Sequence, residues 1–206
     1  MTQRLVWNFE FSTKKSLSLS NRVNESDRLK WEIRFFWPED QIISLHILDN
    51  SLLDIAHYQQ KHKEDYYYLL PDCLYNIKRR RNEMLYKPAL KHATHAIGYG
   101  AKINLEAVED YPVQEPATVL KLQNILRMTQ EKGIEVCVKK ESFTYKFATT
   151  PSVKLELARL EVNNKVYFSL CVEGRSLYLV ETISEHLLDK PVSCDYVTFL
   201  KSIIKS

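Results

Sequence analysis

Tyr75-Asn-Ile-Lys-Arg-Arg-Arg-Asn-Glu-Met-Leu-Tyr-Lys-Pro88 is the stretch on which the fold turns. It reads as a basic strand followed, after a short turn, by a second strand that carries Lys87. Side chains alternate faces along a strand, so Asn76, Lys78 and Arg80 share one face while Tyr75, Ile77 and Arg79 share the other. Ammonium and guanidinium groups aimed at one place repel one another and call for an anion, such as a cluster of phosphate oxygens or of carboxylates. The other reading of the stretch alone is a solvated face on an exposed hairpin.

Outward from this hairpin, the same period recurs. Leu5 to Ser12 sets Trp7, Phe9 and Phe11 against Asn8, Glu10 and Ser12, and Leu29 to Trp37 sets Glu32, Arg34 and Phe36 against Trp31, Ile33, Phe35 and Trp37. The Ser- and Asn-rich segment Lys14 to Asp27 reads as a loop or a weak hairpin arm. Within Ile42 to Gln60 the apolar spacing predicts a helix beginning near Ser51, capped by Asp49 or Asn50. Asp65 to Leu70 reads as a strand leading into the basic hairpin, and Ala101 to Val108 as another after it. Pro112 and Pro116 mark a loop, and Ala117 to Lys132 has helical spacing with Gly133 at its C-terminal end. Strands are predicted at Ile134–Lys140, Ser142–Thr149, Val153–Val162 and Val166–Glu173, the last continuing through Leu177 to Val180, and a final helix at Tyr196–Ile204.

The chain has 206 residues, 27% of them charged, with a net charge of +3. One domain is expected over 1–206, with 1–28 as an N-terminal strand and loop extension. So small a net charge gives no global field for a polyanion, so any basic site is local and nucleic acid is unsupported as a partner. Cys73, Cys137, Cys171 and Cys194 are far apart and form no zinc pattern, which reads as reduced thiols in a cytoplasmic protein. No apolar run approaches the roughly 20 residues of a membrane span or the length of a signal peptide. Many antiparallel strands with polar inward positions, and few helices, predict an α+β fold: an antiparallel β-barrel with a hydrophilic interior and helices packed on the outside. Such an interior needs water or a ligand to fill it.

The order of these motifs resembles the CYTH superfamily of triphosphate tunnel proteins, from about Leu29 to the C-terminus. Asn76-Ile-Lys-Arg with Met84-Leu-Tyr-Lys-Pro looks like the family's basic strand and following lysine strand. Lys102-Ile-Asn-Leu-Glu106, Val138-Lys-Lys-Glu-Ser-Phe-Thr-Tyr145, Leu155-Glu-Leu-Ala-Arg-Leu-Glu161 and Asp195-Tyr-Val-Thr-Phe-Leu200 fall where later motifs of that family stand. The departures are in the acids: Arg34 and Phe36 replace two members of the opening signature and leave Glu32, Asn104 replaces one of a later pair and leaves Glu106, and Ala158 and Cys171 stand at two further acidic positions.

The resemblance implies an enzyme acting on a phosphoanhydride or an organic di- or triphosphate. Lys78, Arg80 and Lys87 would act on the phosphates with Glu32, and Arg34, Lys140 and Arg159 would bind the ligand. Glu32, Glu106, Glu156 and Glu173 would hold one Mg2+ or Mn2+. The alternative is a protein of the same fold that binds a phosphorylated small molecule or a protein partner without turnover. Phe36, Ala158 and Cys171 at inward positions point to a ligand with a hydrophobic part.

Overall fold

The structure, a computed structural model, describes residues 2–12, 26–110, 115–189 and 192–204. Most of the loop expected at Lys14–Asp27, and Pro112 of the later loop, lie outside the described residues. Among the described residues thirteen strands run in chain order: β1 (Thr2–Val6), β2 (Phe9–Ser12), β3 (Lys30–Pro38), β4 (Ile43–His46), β5 (Tyr58–Leu69), β6 (Asn76–Arg80) and β7 (Glu83–Lys87) come first. They are followed by β8 (Ala89–His92), β9 (Ile97–Tyr99), β10 (Ile103–Asn104), β11 (Ile134–Lys146), β12 (Val153–Val162) and β13 (Lys165–Gly174). The helices are α1 (Pro116–Lys132), α2 (Leu177–Leu187) and α3 (Tyr196–Ile204).

Ten strands form one antiparallel sheet in the order β10-β7-β6-β5-β11-β12-β13-β3-β9-β8, and β1, β2 and β4 form a small second sheet. In the large sheet β7 and β8 stand near opposite ends, although only Pro88 separates them in the chain. The sheet therefore curls until its ends approach. Gly100 N–H donates to the Pro88 carbonyl at 3.0 Å there, and Lys87 on β7 reaches Glu32 on β3 at 2.6 Å. Among the described residues the ladder does not run on from β8 to β10, and the sheet is a curled half-barrel.

Strand alternation sorts the two faces. Leu155, Leu157, Leu170, Val172, Ile33 and Phe35 point outward into a core completed by α2 and by Phe9, Phe11 and Leu45 of the small sheet. Ile77, Met84 and Tyr86 point outward under α1, which buries Leu122 and Ile125 on them. Gly133 ends α1, where a Cβ would sit 2.4 Å from the Thr129 carbonyl oxygen, so only glycine fits.

The third helix does not join the other two on the outside. Tyr196, Val197, Phe199 and Leu200 of α3 pack against Tyr67, Val136, Val138, Ala158 and Leu160, all on the inner face of the curl. Phe36 stacks flat on Phe199 at 3.9 Å between ring centroids. Phe36 and Ala158 are thus apolar because a helix occupies that part of the lumen, and they do not line a chamber for a hydrophobic ligand group. Lys201 fastens α3 by donating to the carbonyls of Pro71 and Cys73 at 3.0 and 2.8 Å. Leu200 is fully buried, so Leu200→Ala is expected to cost about 2–5 kcal/mol, measured as a lower denaturation midpoint; a loss under about 0.5 kcal/mol would mean that α3 is not packed in the lumen.

Several predicted elements differ, among them the strands expected at Ile134–Lys140 and Ser142–Thr149, which are the single strand β11. The helix near Ser51 is replaced by two short 3-10 turns, Asn50–Leu53 and Ile55–His57, before β5 begins. Asp49 and Asp54 cap the starts of the two turns, accepting the backbone N–H groups of Ser51 and Ala56, and the second cap interrupts the chain before the first turn can lengthen. The strand expected over Ala101–Val108 is only Ile103–Asn104, followed by a 3-10 segment. Leu177–Val180 is the start of α2, with the Ser176 hydroxyl accepting from Leu179 N–H at 3.3 Å, and not a continuation of β13.

Candidate functional site

The half of the lumen that α3 leaves open is a cavity of about 410 Å3, within the range of small-ligand sites. Asn76, Lys78 and Arg80 enter it from β6, and Lys87 enters from β7, where the register sets it opposite Asn76. Lys30, Glu32 and Arg34 enter from β3, Lys63 from β5, Lys140 from β11, Glu156 from β12 and Glu173 from β13. Arg28, Lys102 and Arg175 complete the charged wall, with Tyr67, Tyr99 and Tyr196 between. Ten cationic side chains thus face Glu32, Glu156 and Glu173 and, behind Lys78 and Arg80, Asp65, an excess of six positive charges.

The carboxylates are all engaged. Glu32 receives Lys87 at 2.6 Å and Arg34 at 3.1 Å. Glu156 receives Lys140 at 2.9 Å and Arg34 at 3.3 Å, and Glu173 receives Lys30 at 2.7 Å. Arg34 is the hub: it also donates to the Ser169 hydroxyl at 3.1 Å and lies 5.1 Å from the Tyr196 ring centroid. Lys87 sits over the Tyr99 ring at 3.7 Å. Among the described residues Arg28, Lys63, Lys102 and Arg175 have no carboxylate within ion-pair distance.

Asp65 is a residue that the sequence reading passed over. It is 4% exposed on the inner face of β5, takes both nitrogens of the Arg80 fork at 2.5 Å and takes Lys78 at 2.9 Å. The signal was charge complementarity: β5 pairs β6 with Tyr66 opposite Arg79, which brings Asp65 opposite Arg80 one step further along.

Two candidate residues lie elsewhere. Glu106 falls in the 3-10 segment and receives Arg79 at 2.8 Å on the outer side, so it is not among the cavity acids. Arg159 is three positions from Glu156 on one strand, an odd step that turns it to the outer face beside Glu141 and Glu161. Arg34, Lys140, Glu32, Glu156, Glu173, Lys78, Arg80 and Lys87 are brought to the one cavity.

Burial opposes charge throughout, and the neighbours decide the balance. Against burial, Lys87 and Arg34 hold the Glu32 carboxyl well below the usual range. Against burial again, Lys140 and Arg34 hold Glu156 down to about 2, and Arg80 and Lys78 hold Asp65 down to about 2. Lys78 goes the other way: burial pulls it down to about 7, Arg80 and Lys140 adding to that and Asp65 opposing it. Lys63 and Lys102 are also lowered, by burial first and then by neighbouring cations.

The three depressed carboxyls bind fewer protons folded than unfolded. Their contribution to stability is therefore present above about pH 4 and lost as pH falls toward 2. Denaturant midpoints are expected to hold from pH 7 to 5 and to drop by a few kcal/mol in stability between pH 5 and 3. A flat profile to pH 3 would mean these pairs are not formed.

No protein-family model matches the chain, and no curated protein matches it. Among solved structures, a "putative adenylate cyclase" from Bacillus halodurans matches with 10% identity and a TM-score of 0.35, over 84% of this chain and 88% of that one. A likeness this slight bears on neither fold nor function, which rest on the ladder and the cavity. Among the described residues no helix is long and apolar enough to cross a membrane.

Proposed function

We propose that the chamber binds the phosphate groups of a phosphorylated small molecule, such as an organic di- or triphosphate, through Lys78, Arg80, Lys87, Lys140 and, with no carboxylate within ion-pair distance among the described residues, Lys63 and Lys102. The observation that carries this is the excess of six positive charges, Asp65 included among the acids, whose cations converge from five strands and their adjoining loops on one enclosed space. So many cations in a low-dielectric wall repel one another, and phosphate oxygens are the acceptors that guanidinium and ammonium groups fit best.

The resemblance implies a magnesium or manganese ion as well, and the acids do not fit one. These ions take hard oxygen ligands with several positions open to water or phosphate. The nearest grouping is Glu32, Cys171 and Glu173, with ligand atoms within 4.8 Å of one another. Its two carboxylates are held by Lys87, Arg34 and Lys30, and burial drives the Cys171 thiol well up, toward its neutral form. No step of the chemistry proposed here runs through a metal.

Inorganic triphosphate at saturating concentration is expected to raise the melting temperature by several degrees, since ligand at 100 times Kd stabilises by about 2.7 kcal/mol. No shift with any of a panel of phosphorylated compounds would overturn the reading. Phosphate release from the same compounds separates a receptor from a hydrolase: none above background is expected, and steady turnover would make the chamber an active site. Bound phosphate restores the charge that burial takes from Lys78, so binding takes up a proton above pH 7. Affinity is expected to fall by up to about tenfold per pH unit between pH 7 and 9; a flat profile would remove Lys78 from the contact.

A further inference from the structure

The groove formed on the outer face by His62, Glu64, Lys139, Glu141, Arg159 and Glu161 carries charges of both signs on exposed or half-buried side chains, with His62 3.3 Å from Glu141, and shows no built site. The chamber's own charge balance goes further. We propose that it takes its phosphorylated ligand as the free anion, with no accompanying divalent ion, and that magnesium opposes binding by holding the ligand in solution. This rests on the reading that the chamber binds phosphates.

Three observations carry it. First, the cations outnumber the carboxylates by six, Asp65 included, so a divalent ion would enter a space already strongly positive. Magnesium bound to a phosphate chain also takes two negative charges from the ligand, weakening its pull on every lysine and arginine. Second, Glu32, Glu156 and Glu173 all have cationic partners at 2.6–3.3 Å, so each carboxylate would have to be stripped of one before it could ligate. Third, among the described residues no further acid at the wall is free to add oxygens: Glu106 is held outside by Arg79, Asp65 is taken by Arg80 and Lys78, and buried Cys171 stands between Arg34 and Glu156 in the ladder. A softer ion such as zinc could use that sulfur, but it meets the same occupied carboxylates.

The role of Glu173 follows. As the partner of Lys30 it offsets a cation, and its removal leaves Lys30 free for the ligand.

Calorimetric titration of the full chain with inorganic triphosphate, once in EDTA and once with millimolar magnesium, tests this. Binding in EDTA is expected to be roughly tenfold tighter than in magnesium. Glu173→Gln in EDTA is expected to bind roughly threefold tighter than the parent, since one opposing charge is gone. Tighter binding in magnesium, or a Glu173→Gln protein that binds more weakly, would overturn the inference and leave the phosphate reading standing. No binding under either condition would overturn both.

Discussion

Arg34→Ala is expected to destabilise the fold by about 3–5 kcal/mol, the cost of leaving buried charges short of a partner. Arg34 is 8% exposed and is shared by Glu32 on its own strand, Glu156 two strands away and the buried Ser169 hydroxyl on the strand between. Its loss leaves Glu32 to Lys87 alone and Glu156 to Lys140 alone, and orphans a hydroxyl. In a chain of this length the melting temperature is expected to fall by roughly 10 °C. The control is Arg4→Ala, which breaks the exposed pair with Glu10 at 2.8 Å and is expected to cost under about 1 kcal/mol. If both variants melt within a degree of the parent, the buried network does not hold the curled sheet.

Lys63→Glu is expected to have the opposite profile: triphosphate affinity falls more than about 100-fold while stability holds or rises. A charge-assisted hydrogen bond contributes about 1.5–3 kcal/mol, and reversal adds repulsion to its loss. Lys63 stands directly opposite Lys140 in the ladder and has no carboxylate within ion-pair distance among the described residues. Burial and the neighbouring Lys140 and Arg80 already lower its pKa, so its charge costs stability in the empty chamber. A glutamate there meets Lys140 and Arg80, with Glu156 as an opposing charge, and relieves that cost. Calorimetry beside thermal melting separates the two effects; unchanged affinity would remove Lys63 from the phosphate contact.

The sequence made some of this architecture readable and hid the rest for identifiable reasons. Asn76, Lys78 and Arg80 sort from Ile77 because a strand has a strict period of two, and the structure puts the three in the cavity and Ile77 beneath α1. The run to Lys132 reads as a helix because its apolar spacing persists over four turns and a glycine follows. Leu177 to Val180 is too short for period to decide, and the Ser176 cap is what makes it helical.

Site residues failed where register was needed. Glu156 and Arg159 cannot share a strand face, and Glu106 was tied to a strand that gives way to a tight helical segment at Leu105. Asp65 became visible only once β5 and β6 were aligned. The inward Phe36 and Ala158 read as a lining for an apolar ligand, because amphipathic spacing in the final helix says that one face is buried but not in which compartment. That helix lies in the lumen, so half of the interior is packed and half is charged.

A crystal structure of the chain grown with inorganic triphosphate tests the account most directly. Density for the phosphates is expected within hydrogen-bond distance of Arg80, Lys87 and Lys140, with Lys63 and Lys102 turned toward it. Triphosphate bound only on the outer face, with those five side chains unmoved around an empty chamber, would contradict it.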